Sequence, residues 1–489
     1  MWQIDIHRVI SQFVYDPEAP LIFSSGLFLF LFTGFLAVYT YLQNSDKPKL
    51  IFVTLFSLYF YYKSSGVYFL LLLLATVTDF NLARLMSNAI DPTRRKLLLF
   101  LSLGINLGVL AYFKYTNFLL GTFASITSAD FQPLDIFLPV GISFFTFQSL
   151  SYTLDVYRNN LKPVDNILDY AFYLSFFPQL VAGPIVRASD FLPQIHRPTV
   201  VTKEMLGRGV FLIATGLFKK AVISDYISVN FVDRVFDAPT LYTGLENLFA
   251  VYGYALQIYC DFSGYSDMAI GIALLLGFHF NINFNSPYQS KSITEFWRRW
   301  HISLSTWLRD YLYISLGGNR KGKRRTYINL MITMLLGGLW HGASWRFVIW
   351  GALHGVALSI HKWFSSKWRF KNKPVLNFAC VFVTFHFVCF CWILFRAADL
   401  TIASEMLTQI FSHFSLAVLP DFIIGYKVVL FLMVLGFVLH FLPDDMSQVV
   451  EQRVVNMSLI GKAACIVAVI VIVIQAKSAE VQPFIYFQF

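Results

Sequence analysis

The sequence predicts an all-α protein that crosses a membrane many times, and three observations carry that expectation. Of its 489 residues, 57% are hydrophobic and only 13% are charged, whereas an average soluble protein is about a quarter charged. Its mean hydropathy is +0.60. Its apolar residues gather in runs, several of which approach the roughly 20 residues that a spanning helix needs. A soluble core of this size cannot hide so much apolar surface. A bilayer can, because lipid is the solvent for the outer faces of the helices.

Taken in order, the candidate spans are 21–41, 50–62, 67–80, 97–113, 134–152, 168–185, 206–223, 245–275, 327–345, 346–361, 375–396, 427–443 and 460–475. Some are short and neighbours can merge, so the expectation is about eleven transmembrane helices. The N-terminal MWQIDIHRVISQF lacks the cationic start and short apolar core of a cleavable signal, so the first run, from Leu21 to Tyr41, is read as a retained span. With no repeat, low-complexity segment or large hydrophilic block, one membrane domain over 1–489 is the simplest organisation.

The formal net charge is +10. In a soluble chain that balance would raise nucleic acid as a partner. In a membrane chain it matches the crowding of Lys and Arg into cytoplasmic loops and their attraction to anionic lipid heads. The basic clusters are Arg94–Lys96, Lys219–Lys220, Arg320–Arg325 and Lys362–Lys373, and the positive-inside rule assigns all of them to cytoplasmic loops. Five cysteines, Cys260, Cys380, Cys389, Cys391 and Cys465, sit mostly in apolar runs without paired CxxC motifs, which argues against a disulfide framework or a zinc site.

The stretch 256–326 departs from the pattern. It mixes Asp261, Asp267, Asn281, Asn283, Asn285, Glu295, Arg298, Arg299, His301, Arg309 and Asp310 with many aromatics. WRRWHISLSTWLRDYLY places Trp300, Trp307 and Tyr311 with Arg299 and Arg309 at near-helical spacing, which suggests an amphipathic helix at the interface or lining a cavity. Polar, irregular backbone at membrane depth is tolerated where it lines a cavity.

His341, in LLGGLWHGASW, is the leading candidate for chemistry. A titratable residue at membrane depth is costly and is functional by default, and imidazole can take a proton from a hydroxyl near neutral pH. Gly337 and Gly338 would let a backbone or thin substrate come close. The competing reading is a buried histidine bonded to a carbonyl. His301 follows, in RRWHISLS, where an interfacial histidine among aromatics is the plainer reading. His354 and His361 are seven apart and share a helix face, but no further ligands stand at metal-site spacing, so no metal is expected. His386 and His440 read as packing residues; His7, His196, His279 and His413 carry no signal. Asp261 and Asp267, in YCDFSGYSDMAIG, could do acid/base work or satisfy backbone at a kink; the structural reading is favoured for Asp261, and Asp267 stays open. Arg298, Arg299 and the 320–325 run could hold phosphates; for the 320–325 run a topology-setting role is the stronger reading. GxSxG, P-loop and dinucleotide fingerprints are absent.

Together, FSGYSDMAIG, FNSPYQSKSITEFWRRWHISLSTWLRDYLYISLGGNRKG and LLGGLWHGASWRFVIWGALHG resemble the membrane-bound O-acyltransferase family, as do Pro139–Arg158 and Phe176–Ile195. The resemblance is to its bacterial branch, typified by the membrane component of alginate O-acetylation and the D-alanyl transfer protein of teichoic acid modification. It covers about 20–365, with a core over about 100–365 and further C-terminal helices over about 375–480.

The resemblance implies a ring of helices around a thinned centre, with a cytoplasmic and an extracytoplasmic funnel. His341 matches the family's catalytic histidine, and His301 its second, less uniform polar position. It implies acyl transfer from an acyl-CoA, most simply acetyl-CoA taken as substrate with no bound cofactor, to a hydroxyl outside the cytoplasm. His341 would be the general base and His301 would orient donor or acceptor. Tyr288, Gln289, Trp297, Arg298 and Arg309 would line the donor path. Trp340, Ser344 or backbone N–H groups near Gly342 would steady charge on the attacked carbonyl. Implied partners are an extracytoplasmic transfer protein, an exopolysaccharide and the lipids of a bacterial inner membrane, with no nucleic acid. The rival readings are a transporter, though no two matching halves are visible, a non-catalytic scaffold of polysaccharide secretion, and an acyltransferase acting on a lipid or teichoic acid.

Overall fold

A computed structural model describes residues 11–198, 200–367 and 373–476. Among them every regular element is helical. All thirteen apolar runs fall on helices at least in part. Among the described residues four helical stretches are long and apolar enough to cross a membrane: Asp46–Asn88, Pro92–Thr127, Pro374–Arg396 and Leu459–Ala476. A fifth forms if Leu419–Gly425 and Lys427–Phe441, bent by 86°, make one broken span. The expected count of about eleven is therefore reached only in part. Other candidates are interrupted: 168–185 splits into Ile167–Ser175 and Phe177–Leu180, and Lys203–Leu217 runs into a π-helical turn, Phe218–Ser224. Residues 1–10, including His7, as well as Arg369, Lys371 and 477–480, lie outside the described residues.

Capping explains where several helices begin. Ser25 accepts the Phe28 N–H ahead of Gly26–Leu42. Asp91 accepts from Thr93 and Arg94, with Pro92 at the first helical position. Those two backbone bonds hold the Asp91 carboxyl below its ordinary range. Leu459–Ala476 is only 6% buried; a helix this apolar, open on nearly every side, is stable in lipid rather than in water.

The chain divides into two compact units: Met1–Met205 with Ile272–Asn281, and Leu206–Gly271 with Ile282–Phe489. The first unit has an aromatic core. The Phe177 ring lies 5.1–6.4 Å from those of Phe23, Phe28, Phe32, Phe35, Phe56 and Phe60. Beside this core is a buried polar knot. The Asp79 carboxylate accepts from Ser102 at 2.6 Å, from Asn106 at 2.9 Å and from Ser149. Ser149 also contacts the Tyr170 hydroxyl at 3.1 Å. One carboxylate thereby ties together helices Phe69–Asn88, Pro92–Leu110, Ile142–Tyr157 and Ile167–Ser175.

The second unit packs by close approach of backbones. A Cβ on Gly216 would meet the Gly264 carbonyl at 2.5 Å, and one on Gly264 would meet the Gly216 carbonyl at 2.7 Å. Small residues at these positions let Lys203–Leu217 and Gly244–Leu275 touch, as membrane helices do where they pack tightly. The contact places the lysines that follow against acidic side chains. Lys220 reaches Asp261 at 2.5 Å and Asp225 at 2.7 Å, and Lys219 reaches Asp267 at 2.7 Å. This corrects the assignment of Lys219–Lys220 to a cytoplasmic loop: Lys220 is buried in a π-helical turn, and its charge is balanced inside the protein. It also gives Asp261 and Asp267 ion-pairing partners. Arg320–Arg325, by contrast, are exposed.

Candidate active site

The site is built where two helices meet at a tight turn in the second unit. Gly322–His341 ends at His341, and Trp345–Lys367 begins after Gly342–Ser344. The helices pack closely because Gly338 and Gly351 carry no side chain. A Cβ on Gly338 would collide with the Phe347 carbonyl, and one on Gly351 with the Met334 carbonyl. A Cβ on Gly337 would meet the Leu308 side chain at 3.3 Å. Of the two readings the sequence allowed, a close backbone or a thin substrate, Gly338 takes the first: it admits the backbone of the following helix. The packing buries His341 to 3% exposure.

Aromatic rings surround His341. Trp340 lies 5.1 Å away, Trp350 5.0 Å and Phe395 5.2 Å, all edge-on. Phe395 is held in place by Arg346, whose guanidinium donates to the carbonyls of Phe395 and Ala397. Those carbonyls close the C-terminal end of Pro374–Arg396, where helical acceptors would otherwise lack partners.

His301 reaches the same place from another element. The expected amphipathic helix is broken: Ile293–Arg299 and Ile302–Trp307 are separate helices, followed by a π turn at Leu308–Tyr313. His301 sits at the break with φ 44° and ψ 57° and caps the second helix, its Nδ1 accepting the Leu304 N–H at 3.4 Å. A left-handed conformation is uncommon outside glycine and is maintained by its surroundings. Here Asn283 supplies them. Its backbone carbonyl accepts from Ile302 N and its side chain accepts from Ser303 N and Oγ. The His301 ring is fully buried, 4.6 Å from Phe262 and 6.0 Å from Trp340. Trp340 therefore contacts both candidate histidines.

The ladder continues on the far side. Trp350 packs 4.5 Å from His354, and Trp297 donates its indole N–H to His354 Nδ1 at 3.2 Å. His354 was set aside in the sequence because it lacked metal-ligand company. The available signal was its spacing: Trp350 and His354 are four apart, hence on one helix face. Among the described residues no three His, Cys, Asp or Glu side chains converge as metal ligands, and His361 is engaged by Thr294 at 2.7 Å.

The other expected residues are placed differently. Tyr288 is buried, donating to the Ala255 carbonyl at 2.5 Å and accepting from Trp392 at 3.2 Å. Gln289 donates to the His440 carbonyl at 2.8 Å, and His440 Nε2 accepts the Tyr288 N–H at 3.1 Å. This group braces the segment before Ile293–Arg299. Arg298 is exposed, and Arg309 is exposed and paired with Asp310 at 2.6 Å. Neither guanidinium joins the histidine cluster. Ser344 starts the second helix, its carbonyl accepting from Phe347 N at 3.1 Å.

A buried imidazole at a helix terminus, walled by indoles and sharing the Trp340 ring with a second buried imidazole, is suited to move a proton in a water-poor site. Comparison with known proteins gives the family. Residues 162–402 match the sequence model of MBOAT, the membrane-bound O-acyltransferase family. A Pseudomonas aeruginosa protein named Probable alginate O-acetylase AlgI is 45% identical over 80% of this chain and 75% of its own length. The Peptidoglycan O-acetyltransferase of Helicobacter pylori is 39% identical over 79% of each chain. The Teichoic acid D-alanyltransferase of Bacillus subtilis is 31% identical over 56% of this chain and 72% of its own. With that similarity spread over most of its length, this chain belongs to the membrane-bound O-acyltransferase family and is an enzyme of acyl transfer.

Proposed function

We propose that this protein transfers an acetyl group from cytoplasmic acetyl-CoA to a glycan hydroxyl beyond the membrane, by way of an extracytoplasmic partner protein. The observation that carries the chemistry is the contact of Trp340 with both His301 and His341. That contact gathers two buried imidazoles from separate helices at one place. The choice of acetyl rests on relatives whose names specify O-acetylation, and the choice of an exopolysaccharide acceptor on the alginate relatives.

In the proposed reaction His341 is the general base. The acceptor hydroxyl oxygen attacks the thioester carbonyl carbon while its proton passes to His341. The carbonyl electron pair moves onto oxygen. The pair then returns, the C–S bond breaks, and the thiolate leaves with the proton from His341. His301 orients one reactant. The aromatic wall keeps water from competing for the thioester.

The test is transfer of labelled acetyl from acetyl-CoA in membranes holding wild type or His341→Ala at matched protein level. The reading requires that wild type incorporate label and that the variant lose it by about 10²–10⁴-fold, the usual contribution of a positioned acid/base. Equal incorporation by both would overturn it.

A further inference from the structure

Trp350 and His354 each bury a ring N–H for which the described residues hold no acceptor. The indole nitrogen of Trp350 and Nε2 of His354 are both without a hydrogen-bond partner, and the residues are 1% and 0% exposed. The state of the His354 ring follows from its neighbour. Indole N–H can only donate, so Nδ1 of His354, which takes the Trp297 N–H at 3.2 Å, must carry a lone pair. The proton of the neutral ring is then on Nε2. Trp297 thus holds His354 as an Nε2–H donor.

Buried donors are nearly always satisfied, and one left without an acceptor weakens the fold. Two such donors stand four residues apart on one face of one helix. The Trp350 ring lies 5.0 Å from His341 and 4.5 Å from His354. Donors fixed in a dry site act most strongly on charge that is absent in the ground state and develops during reaction.

We infer that the Trp350 Nε1–H and His354 Nε2–H form the oxyanion hole of the acyl transfer, with Trp297 as a positioning residue that fixes the His354 tautomer. This rests on the acyl-transfer reading above. When the hydroxyl oxygen bonds to the thioester carbon and its proton goes to His341, the carbonyl pair becomes an oxyanion that accepts from both rings. When that pair returns and the C–S bond breaks, both donors are released. The sequence had offered Trp340, Ser344 or backbone N–H groups near Gly342 for this role; Trp350 and His354 are further donors, on the following helix.

The experiment is steady-state transfer of labelled acetyl from acetyl-CoA in membranes with matched protein levels. Trp350 is replaced by 3-benzothienylalanine, which exchanges the N–H for sulfur and keeps the ring. His354→Leu removes its donor, His354→Gln restores one, and Trp297→Phe releases the tautomer. Loss of either donor is expected to lower kcat by about 10²–10³-fold, with KM for acetyl-CoA held within about twofold. His354→Gln should recover part of the loss, and Trp297→Phe should lower kcat less than His354→Leu. Unchanged kcat, or a rise in KM alone, would overturn the inference and leave the donors to a buried water or to packing. If His354→Leu does not accumulate, the position 350 analogue decides. His341→Ala in the same assay separates the two readings. If it abolishes transfer while the donor variants retain it, only the oxyanion hole fails; if it retains wild-type transfer, the acyl-transfer reading fails with it.

Discussion

The Lys220 ammonium lies 2.5 Å from the Asp261 carboxylate, and each residue is only 2% exposed. Asp225 completes the group at 2.7 Å from the same ammonium. Three charges are held in the second unit by the close glycine contact between Lys203–Leu217 and Gly244–Leu275. Lys220→Met would leave the buried Asp261 carboxylate and the partly buried Asp225 carboxylate without this cation and should cost about 3–5 kcal/mol. The double variant Lys220→Met with Asp261→Leu should lose less than Lys220→Met alone. Thermal unfolding of detergent-purified protein measures both, and a double variant less stable than the single one would disprove the pairing as the reason for burial.

His301 has two separable jobs, capping a helix and presenting a ring. Asparagine tolerates the left-handed backbone and caps helices well. His301→Asn is therefore expected to fold with stability within about 1 kcal/mol of wild type. Labelled acetyl transfer should nonetheless fall by about 10²-fold or more if the imidazole takes part in the reaction. Full activity in this variant would reduce His301 to a cap.

Arg346 acts at a distance from the reacting atoms, through Phe395. Arg346→Ala frees the carbonyls of Phe395 and Ala397, which should cost about 1–3 kcal/mol. The Phe395 ring, 5.2 Å from His341, loses its anchor. A shift of the site of about an ångström should lower kcat by roughly 10–100-fold with little change in KM. A stable variant with wild-type kcat would show that Phe395 is held by packing alone.

In the first unit the Asp79 carboxylate gathers Ser102, Asn106 and Ser149 from two other helices. Asp79→Leu strands these donors away from water, at about 1–3 kcal/mol for each that finds no new acceptor. The expected result is a sharp drop in the amount of folded protein in the membrane, measured by monodispersity after extraction. Wild-type yield and thermal stability would show that the knot is dispensable.

Much of this protein was legible in one dimension. Apolar runs are read from spacing, so all thirteen candidates fell on helices at least in part. The breaks were less visible. Nothing in WRRWHISLS marks a left-handed residue at His301, because that conformation is imposed by Asn283 some twenty residues earlier. His341 stood out as a titratable residue in an apolar run. His354 stood in an equally apolar run and was passed over, since its meaning depends on Trp297, 57 residues away in sequence.

By itself the sequence determined that the chain is a helical membrane protein, since composition and apolar run length decide which solvent its surface can meet. Its motifs determined the family, and with it acyl transfer. Tertiary structure alone decided which charges are paired and which rings surround His341. Lys219 and Lys220 look like loop charges until Gly216 and Gly264 bring Asp261 and Asp267 beside them. Likewise, Trp350 comes within 5.0 Å of His341, with His354 4.5 Å beyond it, only when Gly338 and Gly351 let their helices close. The physical reason is the same in both cases. Hydrogen bonds and ion pairs act over a few ångströms, and only the packed chain brings distant residues within that range.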